Sequence, residues 1–162
     1  MSLQINEADN RILLVDDDDM VLSTLRSLLE LETGYQLVTV AGGPEALAAA
    51  AEQDFDLVIS DYLMPGMNGI ELLARLKEAQ PWAPRILLTG YADKENAIRA
   101  INQVGLFQYL EKPWDNAHLL LVMRNALERR HLLRVLQQKI AEADAATGQL
   151  DDLQQDILRA FI

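Results

Sequence analysis

The chain contains no cysteine, so it can form neither a disulfide framework nor a thiolate metal site. Positive charge is also scarce: 14 Lys and Arg stand against 25 Asp and Glu, for a net charge of −11. Phosphate backbones are held by clustered Lys and Arg, so direct nucleic-acid contact is not expected. No apolar run reaches the roughly eighteen residues of a membrane span. The opening "MSLQINEADN" is polar and acidic, unlike a secretory leader. These absences leave a cytoplasmic protein as the simplest reading. At 162 residues and half apolar, the chain holds one ordinary domain plus an extension.

What is present is an alternation of short apolar runs with longer segments of helical period. The runs are "RILLV" (11–15), "QLVTV" (36–40), "FDLVIS" (55–60), "RILLT" (85–89) and "LFQYL" (106–110). Helical segments fall at about 19–32, 44–53, 68–79 and 93–104, with a fifth starting near 115. Strands alternating with helices predict a parallel sheet covered on both faces. Three of the runs look apolar on both sides, as doubly covered strands should. Pro44 marks a helix start, and Gly34 and Gly105 sit where helices should end. Five such units predict a flavodoxin-like, doubly wound (βα)5 sheet of order 2-1-3-4-5 with an extended C-terminal helix. Ligands of such sheets lie beyond the carboxyl ends of strands 1 and 3.

That rule picks out the acids. Asp16, Asp17, Asp18 and Asp19 follow strand 1, and Asp61 follows strand 3. Carboxylates converging from two strand ends repel unless a cation lies between them. Mg²⁺ prefers oxygen ligands, takes few carboxylates and keeps water positions open for a phosphoryl group. Lys112, from "YLEKPW", brings an ammonium to the same edge, and Thr89 brings a hydroxyl. Each residue has a plainer reading. Asp18 and Asp19 suit a helix start, where acids satisfy free N–H groups. Asp61 could be a turn residue before "MPGMNG", Thr89 a β-branched strand residue, Tyr109 core and Lys112 a solvated charge.

The motifs "LLVDDD", "VISDYLMPGMNG", "ILLTG" and "YLEKP", in that order, resemble the receiver domain of two-component response regulators over about residues 10–130. The resemblance implies that Asp61 is the phosphoacceptor. It implies that Asp16 and Asp17 hold Mg²⁺ with Asp61, Asp17 being the more direct ligand and the Leu63 carbonyl completing the set. Thr89 and Lys112 match the residues that contact phosphoryl oxygens, and Tyr109 matches an aromatic whose rotamer follows phosphorylation. Pro113 matches a proline usually preceded by a cis bond. The implied partner is a sensor histidine kinase or phosphotransfer protein, and the implied role is signalling, with no catalysis beyond the domain's own phosphorylation and dephosphorylation. A second reading is a small Mg²⁺-dependent phosphatase or phosphotransferase with an aspartate nucleophile. Phosphatases of the haloacid dehalogenase type carry a second Asp two residues after the nucleophile, where Leu63 stands here.

Residues 131–162 read as a helical, coiled-coil extension leading to an output domain beyond Ile162. Steps of four and three from Val122 pass through Ala126, Arg129, Leu133, Leu136, Ile140, Ala143 and Thr147, and continue to Phe161. Most of these positions are apolar, which predicts a parallel homodimer through a coiled coil from about Ala126 to at least Ala143. Gly148 is the expected point of a helix break.

Overall fold

The computed structural model describes residues 6–147 and 159–160. Five parallel strands form one sheet: β1 (Arg11–Val15), β2 (Gln36–Val40), β3 (Leu57–Asp61), β4 (Arg85–Thr89) and β5 (Gln108–Glu111). Their spatial order is β2-β1-β3-β4-β5, as the alternation predicts. The connecting helices are α1 (Asp19–Glu32), α2 (Gly43–Glu52), α3 (Gly69–Ala79) and α4 (Lys94–Val104), and α5 (Asn116–Thr147) follows the last strand. No helix among the described residues is long and apolar enough to cross a membrane.

The period-two pleat divides the central strands between two cores. Ile12, Leu14, Leu57, Ile59, Ile86 and Leu88 pack against Leu25 and Leu29 of α1 and Leu119, Met123 and Ala126 of α5. Leu13, Val15, Val58 and Leu87 face the other way, onto Ala46 of α2, Leu72 and Leu76 of α3, and Ala97 and Ala100 of α4. Covered on both sides, β3 and β4 are buried along their whole length, and β1 is buried except at Arg11.

Helix ends follow local chemistry. Asp18 caps α1: its carboxylate accepts the Met20 N–H at 2.9 Å. Pro44 sits in the first turn of α2. Gly105 ends α4 in the left-handed region, at φ 69°, where a side chain would be strained. Gly34 does not end α1. Thr33 does so, since its N–H and its hydroxyl both donate to the Leu29 carbonyl, at 2.9 and 2.6 Å.

Candidate phosphoacceptor site

Sheet register brings the site together. Val15 lies opposite Ser60 and Asp61 opposite Leu88, so Asp16 and Asp61 leave adjacent strands at nearly the same level. Asp61 closes β3 instead of following it. Thr89 ends β4 opposite Glu111 of β5, which places Lys112 just beyond the same edge. The Lys112 N–H donates to the Thr89 carbonyl at 2.9 Å, and the Lys112–Pro113 peptide bond is cis.

The Lys112 Nζ donates to Asp61 Oδ1 at 2.7 Å and to Asp16 Oδ2 at 3.0 Å, joining two carboxylates from separate strands. Asp16 is fully buried, and its Oδ1 accepts the Asp18 N–H at 2.9 Å. Asp17 is exposed. One carboxylate oxygen from each of Asp16, Asp17 and Asp61 lies within 4.8 Å of the others. Three hard oxygen donors, one of them open to solvent, fit a small divalent cation that retains water ligands.

Burial pushes the Asp61 carboxyl above its ordinary range; the hydrogen bond from Lys112 opposes this, and the Asp16 charge reinforces it. Burial also disfavours the Lys112 ammonium, but its hydrogen bonds to Asp61 and Asp16, with the charges of both, outweigh that effect and hold its pKa above the usual lysine range. Lys112 is therefore a permanent cation between the two carboxyl groups.

Among the described residues, no side chain of the other predicted residues hydrogen-bonds to this centre. Thr89 is fully buried, and its hydroxyl donates to the Gly90 carbonyl at 3.2 Å. Tyr109 is half-buried against the α2–α4 core. Leu63, two residues past Asp61, exposes 60% of its surface. Gly69, within "MPGMNG" and at the start of the predicted helix 68–79, is not a predicted site residue, yet it is built into the site. Its N–H donates to the Tyr62 carbonyl at 2.7 Å, and a Cβ on it would run into the carbonyl oxygen of Asp61. The signal is visible only as the glycine of "MNGIE", which a turn explains equally well.

A five-stranded 2-1-3-4-5 sheet with an acidic cluster and a lysine at its carboxyl edge defines a receiver-type phosphoacceptor class. The chain matches the response regulator receiver domain family over residues 12–124. It belongs to that family. It is 36% identical over 121 residues to the hydrogenase transcriptional regulatory protein HoxA of Cupriavidus necator, covering 75% of this chain and 25% of that protein. The C4-dicarboxylate transport transcriptional regulatory protein DctD of Pseudomonas aeruginosa is 35% identical over 147 residues, covering 89% of this chain and 31% of that protein. Among solved structures, the signal receiver domain of an HD domain-containing protein from Pseudomonas fluorescens Pf-5 aligns with a TM-score of 0.71 and 42% identity, covering 75% of this chain and 97% of that one. The chain spans less than a third of the length of either regulator.

Proposed function

We propose that Asp61 accepts a phosphoryl group from a phosphohistidine on a sensor histidine kinase or phosphotransfer protein. A carboxylate oxygen of Asp61 attacks phosphorus, the P–N bond to the donor imidazole breaks, and an acyl phosphate remains on Asp61. The observation that carries this reading is the Lys112 ammonium, 2.7 Å from Asp61 and 3.0 Å from Asp16. Phosphoryl transfer passes through a loose transition state whose catalysis is chiefly positioning and charge neutralisation. Lys112 stands where it can neutralise an equatorial oxygen, and the sheet edge fixes Asp61. Asp16, Asp17 and Asp61, with the Leu63 carbonyl, would hold Mg²⁺, which when bound supplies the rest of the charge neutralisation. Asp17 is the freer ligand of the pair, because Asp16 already receives Lys112 and the Asp18 N–H.

The acyl phosphate adds about two negative charges beside Thr89. The Thr89 hydroxyl, now on the Gly90 carbonyl, is the nearest donor on β4 that can turn towards it. Inward rotation of Tyr109 then shifts the population of the α4–β5–α5 face, which serves as the readout surface. A cytoplasmic location completes the reading, and the far greater length of the regulators it matches favours an output domain as the recipient of the signal.

Asp61→Asn tests the acceptor. After incubation with acetyl phosphate and Mg²⁺, intact-mass analysis should show one added phosphoryl on the parent and none on the variant. A parent that turns acetyl phosphate over without retaining a phosphoryl would favour the phosphatase reading. The same variant carries a stability prediction. With its pKa raised, Asp61 adds stability below the ordinary carboxyl range and loses that contribution as pH climbs through the raised value, so at neutral pH it is a cost. Asp61→Asn should therefore unfold at higher urea at pH 7 without metal, by on the order of 1 kcal/mol, with the gain shrinking towards pH 4.

The extension supports a homodimer, with its seam moved along the helix. At about 1.5 Å per residue, the 32 residues of α5 extend about 48 Å. The expected start at Ala126 is taken up by the chain's own domain: Val122, Ala126 and Leu133 are buried there, and the Arg129 guanidinium lies 5.8 Å from the Phe107 ring centre. A seam open to a second copy begins at Leu136, which is 36% exposed, and continues through Ile140 and Ala143. The expected break at Gly148, and the seam positions after it, lie outside the described residues. Light scattering at micromolar concentration should give a dimer for the parent and a monomer for Leu136→Asp. A monomeric parent would remove the dimer.

A further inference from the structure

The end of the sheet opposite Asp61 has a separate concentration of charge. A cavity of about 130 Å³ lies where the loop before β4, the start of β5 and the middle of α5 meet. Trp82, Arg85, Phe107, Arg129, Arg130 and Leu133 form its principal walls. No acidic residue among the described residues lines it, in a chain where acids outnumber bases 25 to 14.

Arg85 is 3% exposed. Its Nη1 donates to the Ala83 carbonyl at 3.0 Å and its Nη2 to the Gly105 carbonyl at 2.9 Å. No carboxylate among the described residues pairs with it, and its Nε is buried without a hydrogen-bond partner. Buried charges are normally paired, so this guanidinium departs from the general pattern. Burial, then the charge of Arg129, lowers the Arg85 pKa to about 10, which leaves it protonated at neutral pH. Arg130, 7% exposed, meets Asp56 through Nη1 at 3.0 Å, and its Nε is likewise buried and unpartnered. Tying two loops together accounts for the Nη donors of Arg85. It does not account for two further arginines on the same small cavity.

We infer that this cavity binds a small phosphate- or carboxylate-bearing molecule with a flat apolar body. Guanidinium groups present planar, paired donors that match the oxygens of either anion. The Trp82 and Phe107 rings and Leu133 supply the surface for the apolar part. The cavity, at about 130 Å³, is close to the roughly 150 Å³ that admits benzene, so the flat body would fill it and the anionic group would sit at its mouth. An anion here would offset the Arg85 charge, which no carboxylate among the described residues pairs. The inference does not depend on the phosphoacceptor reading, since the two sites occupy opposite ends of the sheet.

The sequence has two tryptophans, so Trp114→Phe leaves Trp82 as the reporter. Titration with phenyl phosphate, without divalent metal so that the carboxylates at the other edge repel anions, should change Trp82 emission saturably. The expected dissociation constant is about 1 mM or tighter. Inorganic phosphate should bind about tenfold more weakly, and neutral benzyl alcohol should give no saturable change. Arg129 is exposed, so Arg129→Gln should keep the fold by circular dichroism while weakening phenyl phosphate about tenfold. Failure of phenyl phosphate to saturate, or undiminished affinity in Arg129→Gln, would overturn the anion site. Benzyl alcohol binding as tightly as phenyl phosphate would do the same. Equal affinity for inorganic phosphate would overturn the assignment of an apolar body.

Discussion

Gly69→Ala should lose about 3 kcal/mol or more of stability, a large effect for adding one methyl group. A Cβ built on Gly69 overlaps the backbone carbonyl oxygen of Asp61, and it stands 2.9 Å from both the Asp61 carbonyl carbon and Leu87 Cδ1. The obstacle is the main chain of a central strand, buried on both faces, so no flexible side chain can swing aside. Relief requires α3 to lift from β3 or the end of β3 to shift, and the second movement displaces the acceptor. Gly66→Ala is the control, in the loop that leads into α3. Its φ of 78° penalises a side chain, but nothing lies within 4 Å of the added atom, so about 1 kcal/mol is expected. Urea unfolding of the two variants separates a steric from a conformational requirement. Acetyl phosphate labelling of Gly69→Ala should be slowed well beyond what its folded fraction explains. An unfolding midpoint equal to that of the parent would refute the close approach.

That glycine marks where sequence reading stops. β1, β2 and β4 occupy the residues their apolar runs suggest, because Gly, Pro, Asn or Asp stands within two residues of both ends of each run. β5 begins two residues later than "LFQYL" suggests. Leu106 is buried and the Phe107 N–H donates to the Arg85 carbonyl at 2.8 Å, but ladder pairing starts only at Gln108. Apolar character reports burial, and burial begins before the strand does. The acids and Lys112 were legible because each stands at a strand end, and strand order alone places those ends together. Arg85, Arg130 and Asp56 were not legible, since residues 56 and 130 are joined only through packing and no period connects them. The stripe along α5 shows a further limit. A heptad pattern cannot say whether an apolar position faces its own sheet or a second copy, and here it does the first as far as Leu133.

Lys112→Met should lower stability and phosphoryl uptake together, because it removes the cation and keeps the carboxylates. Met is close to Lys in length and fills most of the same space, so the loss is chiefly electrostatic. In the parent, the ammonium bonds both Asp16, whose side chain is 1% exposed, and Asp61, at 11%. Removing one member of a buried ion pair leaves its partners desolvated and uncompensated, which costs about 3–5 kcal/mol. The Lys112 side chain is 25% exposed, so a loss at or just below the bottom of that range, about 2–3 kcal/mol at pH 7, is expected. The pH dependence identifies the cause. Lys112 has a raised pKa, so its contribution in the parent is complete below the ordinary lysine value of 10.5 and is lost only at higher pH. In the variant, the hydrogen bond that held the Asp61 pKa down is gone, so that pKa rises further. Protonating Asp61 then removes the repulsion, and the gap between variant and parent should close as pH falls from 7 towards 4. Millimolar Mg²⁺ at pH 7 should close part of the same gap by supplying positive charge to the three carboxylates, whereas a lost packing contact would respond to neither treatment. Phosphoryl uptake from acetyl phosphate should fall by about 10²-fold or more, the scale of removing one preorganised charge-stabilising donor. A stability deficit independent of both pH and Mg²⁺ would show that Lys112 acts through its aliphatic stem and not as the counter-ion of Asp16 and Asp61.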